Sequence, residues 1–394
     1  MGWIRRKPGG FLSEGVWGGM KVNFKIIFLY EFKKIIKSKL TIATVILAVL
    51  IVIYTSLGIG GNSKGVVESM KEINGRVIDD TLLQEMYSSI DDYGSEWTTD
   101  NMKYKELASF EQGVVGHEVL SNYSADDIYE LRSGTPHDAY DKGTITKGEL
   151  KWWESEENIV KTPFTYFYHG DMFLLASVIG YICLLLLLVS SISLSSVFSG
   201  ERKNRTDQII LCTKNGKRVI FGAKILAGVT FLISLYIVLM IIAFMVVAIT
   251  KGLDGWKACV QLSFPYAAYP YTFGEYICIQ LIILLFVSVL FAVLAMVCSQ
   301  LFGKTVAVTG FMMGLFFFSG IISFPDSFRI PQHILSLFPT ELTTIFSLYS
   351  FRLIGFGTHY LSDYQAAPII YIVISLLILY IGYRSYQCYQ IKGR

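Results

Sequence analysis

The sequence predicts an all-α integral membrane protein with six membrane-spanning helices and one substantial water-facing insert. Three observations carry this reading. Only 16% of the 394 residues are charged, 53% are hydrophobic, and the mean hydropathy is +0.49; a soluble chain carries roughly a quarter charged residues. The charges are also unevenly placed: residues 61–171 hold 22 acidic and 10 basic side chains, whereas Met172–Gly200 holds none of either. Finally, lysine and arginine gather in the short segments between alternate apolar runs. The net charge of +3 sums regions facing different compartments, so it does not identify partners, and no nucleic-acid partner is expected.

Residues 1–19 are Gly-rich and carry Arg5, Arg6 and Lys7. The apolar stretch that a twin-arginine export signal needs does not follow them, so they are expected to be a flexible extension. Residues 20–39 alternate Phe24, Ile27, Phe28, Phe32, Ile35 and Ile36 with Lys25, Lys33, Lys34, Lys37 and Lys39. That spacing predicts an amphipathic helix lying in the inner membrane interface, its lysines among anionic head groups.

Six apolar runs approach or exceed the ~20 residues that cross the hydrocarbon as a helix. They are 40–60, 172–198, 222–250, 274–298, 305–323 and 367–383. With the N-terminus inside, the cytoplasmic pieces (1–39, 199–224, 299–304 and the tail 384–394) hold 20 basic residues against 4 acidic ones. The opposite side holds 14 basic and 27 acidic residues, so the positive-inside rule sets both termini in the cytoplasm.

The insert, 61–171, predicts a mainly helical extracytoplasmic domain. Val67, Met70, Ile73 and Val77 recur at helical spacing, as do Leu82, Leu83, Met86 and Ile90. Ser124 with Ala125, Asp126 and Asp127 predicts a capped helix start, running through Leu131 and ended by Gly134-Thr135-Pro136. Residues 324–366 are broken by Pro325, Pro331 and Pro339 and interrupted by Glu341 and Arg352. They predict re-entrant or interfacial helices on the external face, since irregular backbone at membrane depth must be buried in protein.

Several patterns resemble catalytic motifs and fail on spacing. Phe302-Gly303-Lys304-Thr305 ends like a phosphate-binding loop, but Cys298 stands where the motif needs glycine. His117-Glu118 lacks a second histidine, because position 121 is Ser. The six cysteines lie outside the insert and include no CxxC pair, so neither a disulfide framework nor a metal site is expected. The chain is not expected to be an enzyme or to hold a cofactor. Gly310 and Gly314 form a small-xxx-small pair suited to helix packing or a dimer contact. The spans lack ionisable residues except at their ends, which disfavours ion coupling and favours an apolar or amphipathic solute. Ser190 and Ser193, with Glu275 near an outer end, are candidates to line its path.

The loop 199–221 is the most informative segment. Thr206 is placed to cap a short helix carrying Ile209, Ile210 and Leu211, which Asn215-Gly216 would end before a basic turn. This order, Glu201, Thr206, Ile210-Leu211, Thr213, Lys217-Arg218 and Lys224, resembles the permease subunits of ABC-2-type ATP-binding-cassette exporters. Cys212 departs from it, standing where a small polar residue is commoner. The interfacial helix, the six spans and the external segment before the last span are similar to the same family over about 20–394.

The resemblance implies a permease whose 201–218 loop is a coupling helix docked on a separate ATPase subunit. Glu201, Arg205, Thr206, Ile209, Ile210, Leu211, Thr213, Lys217 and Arg218 would then form that interface. ATP and Mg would sit on the ATPase, a second permease chain would complete the transporter, and the setting would be a bacterial plasma membrane. The substrate would be a peptide, lipid or drug-like amphiphile moved outward. Two other readings stay open: a membrane-anchored receptor or sensor, and a mechanotransmitter, each using the 61–171 domain.

Overall fold

The computed structural model describes residues 15–59, 62–90, 97–98, 100–116, 123–206, 216–321, 324, 328–357 and 359–389. The chain is mostly helical. Helix α1 (Gly15–Ile36) and α2 (Lys39–Ser56) lead into an insert of six helices: α3 (Lys64–Lys71), α4 (Asp80–Ser89), α5 (Lys105–Val115), α6 (Ala125–Ser133), α7 (Thr135–Asp141) and α8 (Lys147–Glu157). Then come α9 (Gly170–Ser193), α10 (Ser196–Lys203), α11 (Gly216–Thr250), α12 (Phe273–Phe302) and α13 (Thr305–Ile321). Short helices α14 (Arg329–Ser336) and α15 (Pro339–Leu342) precede a hairpin of β1 (Leu353–Phe356) and β2 (His359–Ser362), and α16 (Asp363–Cys388) closes the chain.

Among the described residues, five helices are long and apolar enough to cross a membrane: α2, α9 continued by α10, α11, α12 and α16. The protein is therefore a membrane protein. Helix α13, where the sequence predicts a further span, has 17 residues, at the short end of the crossing range. Helix α12 is the hub of the bundle, packing against α9, α11, α13 and α16, while α2 packs against α9 and α11.

Helix α2 enters the bundle small side in. Helix α2 buries Thr41, Thr44, Ala48, Val52 and Ser56 and turns Ile42, Ile46, Leu50 and Tyr54 outward. Large apolar side chains facing out cost nothing in hydrocarbon, and small residues facing in let backbones approach. The glycines that permit such approach are Gly228, packed against Met296, and Gly382, packed against Val297. Gly310 and Gly314 do not serve in this way: a Cβ at either would meet nothing within 4 Å, so neither brings two helices of this chain together.

Other departures from expectation are local. Helix α1 starts at Gly15, inside the segment 1–19 read as an extension; residues 1–14 lie outside the described residues. It is less cleanly amphipathic than its lysines suggest, because Ile26, Leu29 and Tyr30 are exposed on its outward side. Gly134-Thr135-Pro136 ends α6 as expected, but Pro136 then opens α7, since proline suits a first helical turn. Residues 324–366 include short helices as expected, together with the unforeseen β-hairpin pairing Leu353 with Ser362 and Phe356 with His359.

The insert's helices carry their own caps, and its core is continuous with that of the bundle. Asp79 caps α4, and Ser124 with Asp127 and Thr146 with Glu149 form capping boxes on α6 and α8. A short antiparallel bridge, Val77 to Thr165, closes the insert at its root. Trp153 anchors it to the bundle: fully buried, it donates from Nε1 to the Phe351 carbonyl at 2.8 Å and lies edge-on to Tyr269 at 4.9 Å. Arg132, also buried, pairs with Glu157 and donates to the Ala267 carbonyl at 3.5 Å, tying the insert to the turn before α12.

Candidate functional site: a buried charge cluster beside the 199–221 loop

The loop that the sequence singles out leaves the bundle at the end opposite the insert. Helix α9 breaks at Leu194-Ser195 and resumes as α10, which opens a set of unpaired backbone donors. Ser299 of α12 fills that need: its Oγ accepts from the Phe198 and Ser199 backbone N–H groups at 3.2 and 3.0 Å. The same hydroxyl donates to the Ser195 carbonyl at 2.5 Å, and Ser199 Oγ lies 2.8 Å from Thr305 Oγ1. The broken helix is thus held by hydroxyls, and Glu201 is carried one turn beyond the break.

Glu201 does not face water. It is buried at 8% exposure, as is Glu31 on α1 at 5%, and Lys224 on α11 is fully enclosed. Lys224 Nζ pairs with Glu201 Oε1, donates to the Val197 carbonyl at 3.0 Å and lies 3.6 Å from Glu31 Oε2. The Phe198 ring covers the ammonium at 5.1 Å. Lys34 completes the set, 3.0 Å from Glu201 and 3.6 Å from Glu31. Two carboxylates and two ammonium groups therefore alternate around one point, joining α1, α10 and α11. Burial pushes the Lys34 ammonium down, but Glu201 and Glu31 together hold it above its ordinary value.

Such a cluster is a mechanical joint more than a source of stability. Desolvating Glu31, Glu201 and Lys224 offsets much of their mutual attraction, yet removing Lys224 leaves its partners buried and short of a cation. The three helices are consequently constrained to move together or to break the set.

The loop's two ends are fastened as well. Helix α10 ends in a Schellman closure: Thr206 N donates to the Glu201 carbonyl at 3.1 Å and Arg205 N to that of Arg202 at 3.2 Å. Arg205 occupies the left-handed position of that motif at φ 58°, where glycine is usual. At the far end Lys217 Nζ donates to the Gln387 and Tyr389 carbonyls at 3.1 and 2.9 Å, satisfying the terminal acceptors of α16. Arg202 stacks over the Tyr389 ring at 4.3 Å. Arg205, Thr206 and Arg218 are exposed.

Of the interface residues read from sequence, Glu201 is thus an internal pivot and Lys217 a helix cap. Arg205, Thr206 and Arg218 are accessible; Ile209, Ile210, Leu211 and Thr213 lie outside the described residues. Glu31 and Lys34 escape the sequence reading as members of this site. The signal exists: Phe24, Phe28, Glu31 and Ile35 form one inward stripe, and an acid stands in its middle.

The candidate path residues are not brought together. Ser190 is buried and donates back to the Leu187 carbonyl at 2.8 Å, while Ser193 faces Thr44 at 3.4 Å between α2 and α9. Glu275 is exposed and closes a capping box with Thr272 at the start of α12. All three have structural partners, and the larger voids of the bundle lie elsewhere. Comparison with known proteins finds no matching family model and no curated relative.

Proposed function

We propose that this protein is the membrane-spanning permease of an ATP-driven exporter of the ABC-2 type, with the 201–218 loop as the docking element for a separate ATPase subunit. The observation that carries the reading is the junction of Glu201, Lys224, Glu31 and Lys34 directly above that loop. A force applied to the loop would reach α1, α9 with α10, and α11 through buried charges, and α16 through Lys217 and Arg202. A coupling element needs this property, because a partner shifts an equilibrium only through contacts that differ between two states. The exposed basic groups around the loop favour a cytoplasmic face, with both termini inside and the insert outside. The setting would be a bacterial plasma membrane, and a second permease chain would complete the assembly.

The test is co-expression with the ATPase encoded nearest to this chain, followed by purification of the complex and measurement of ATP hydrolysis. A detergent-stable complex whose hydrolysis is lost in an Ile210→Asp/Leu211→Asp variant would support the reading. A folded permease that binds no ATPase would sink it.

A further inference from the structure

A cavity of about 420 Å³ lies between α9, α12, α13 and α16, floored by Leu187, Phe291 and Leu315 and walled by Ile374. Its exposed lining is almost wholly apolar. Leu187 and Phe291 lie 17 and 18 residues into their helices, so the floor sits near mid-bundle. A second void adjoins it toward the insert; Ile334, Leu337 and Ile370 line both. The second void is different in kind. Glu149, Arg329, His333 and Tyr360 contribute to its walls, with β1 and α14 around them.

The polar groups at this mouth are arranged to present donors. Glu149 is sunk at 1% exposure, and its Oε2 accepts from Thr146 N and Oγ1 at 2.6 and 2.8 Å. Only Oε1 is left for Arg329, whose side chain keeps 40% of its surface exposed. A guanidinium carries five donors, so most remain available. His333 Nδ1 is buried with no hydrogen-bond partner, and burial followed by Arg329 and Arg352 holds its imidazole below the ordinary value. Asp363 is itself buried at 3%. Among the described residues, Glu149 and Asp363 are hidden while the Arg329 guanidinium stays accessible.

We infer that the joined voids are a binding site for a single-chain amphiphile with an anionic phosphate or carboxylate head, its chain in the apolar cavity and its head on Arg329 and His333. A cavity of this size is at the small end for ligand sites, which suits one chain and not two. A dry apolar void selects an apolar group, while an orphaned buried nitrogen and spare guanidinium donors select an acceptor. As a ligand site this stands on geometry alone; as the transported substrate's site it rests on the exporter reading.

Photolabelling of the full chain in nanodiscs tests it without any ATPase. The probe is a lysophospholipid bearing a diazirine at the chain end, with a phosphate head. A monoacylglycerol with the same chain and a two-chain phosphatidic acid with the same head serve as comparisons. The expected result is labelling of peptides from α12, α13 and α16, lowered about tenfold by Arg329→Gln/Glu149→Gln for the anionic probe only. Ile374→Trp and Leu315→Trp, on different helices, would each lower labelling by both single-chain probes. Phosphatidic acid labelling as strongly as the lysophospholipid would reassign the site to bulk lipid and overturn the proposal. So would labelling that none of the variants changes. Failure of ATPase binding would leave these outcomes untouched, so the two readings fail separately.

Discussion

The two ends of the bundle are fastened by different mixtures of contact. At the insert end, aromatic rings pack beside two ion pairs, Arg132–Glu157 and Arg329–Glu149: Trp153 is boxed by Trp152, Tyr269 and Phe351, and Tyr364 lies edge-on to Tyr269 and Tyr276. At the loop end, three buried charges, Glu31, Glu201 and Lys224, with the partly exposed Lys34, connect three helices. Apolar ring burial involves no charge to strand and loses energy gradually when displaced, so it suits a fixed weld. Paired buried charges are unforgiving, because any displacement exposes one partner to an uncompensated desolvation cost. The loop end is therefore where a small movement has a large energetic consequence.

The sharpest test compares the largest disruption at each end. Lys224→Met leaves Glu201 and Glu31 buried with Lys34 alone, a change expected to cost ~3–5 kcal/mol. Trp153→Ala empties a large buried volume and should cost a similar ~3–5 kcal/mol. The two should separate on rescue. Adding Glu201→Gln to Lys224→Met should recover part of the thermal unfolding midpoint in detergent, because it removes the stranded charge. No second polar change should rescue Trp153→Ala, whose loss should appear as protease sensitivity confined to the insert. Equal rescue at both ends, or at neither, would erase the distinction.

Much of the scaffold was legible in the sequence because its signals are strong and local. The long apolar runs became helices, two of them reaching several residues further: 222–250 became Gly216–Thr250, and 367–383 became Asp363–Cys388. Hydropathy ends where charge begins, but the helix continues until a cap or a turn stops it. The Ser124 cap was readable because its partner lies three residues away. The hairpin of β1 and β2 was hidden by its brevity, four residues a strand, and by Gly355 within the first strand and Gly357 after it. The charge cluster was hidden for another reason. Glu201 and Lys224 stand 23 positions apart, and Glu31 comes from a helix whose lysines advertise a lipid surface. Only tertiary packing turns that acid inward. Of the two readings of Gly310 and Gly314, packing within the chain is the one their surroundings do not support, since a Cβ at either would meet nothing within 4 Å.

Smaller effects sharpen the picture of the loop. Arg205→Gly should stabilise the end of α10 by ~1 kcal/mol, because glycine meets no Cβ penalty at the left-handed position of the closure. If that side chain also touches the ATPase, the same variant should lower affinity for the partner while raising the unfolding midpoint. A parallel rise in both would show that Arg205 serves the turn alone. Lys34→Ala should cost less, no more than ~1 kcal/mol, since its side chain is 44% exposed and solvent screens the pair. Measured against Lys224→Met, it ranks the two cations that hold the same carboxylates.

The smallest effect concerns pH at the insert end. His333 sits on α14 among Arg329, Arg352 and Glu149, and burial together with the two guanidinium groups lowers its affinity for a proton. In the unfolded chain the imidazole takes up a proton near its ordinary pKa of ~6.5. Between that value and the lower one of the folded state, the unfolded chain binds more protons, so stability rises with pH. The contribution is complete above ~6.5 and is lost as pH falls through the folded value. Unfolding midpoints from pH 7.5 down to 5 should therefore decline more steeply in the parent than in His333→Gln, which has no proton to gain. Arg329→Gln should flatten the decline in part by removing one of the two repelling cations. A slope identical in the parent and His333→Gln would mean that the acid sensitivity of this end belongs to its buried carboxylates and not to the imidazole.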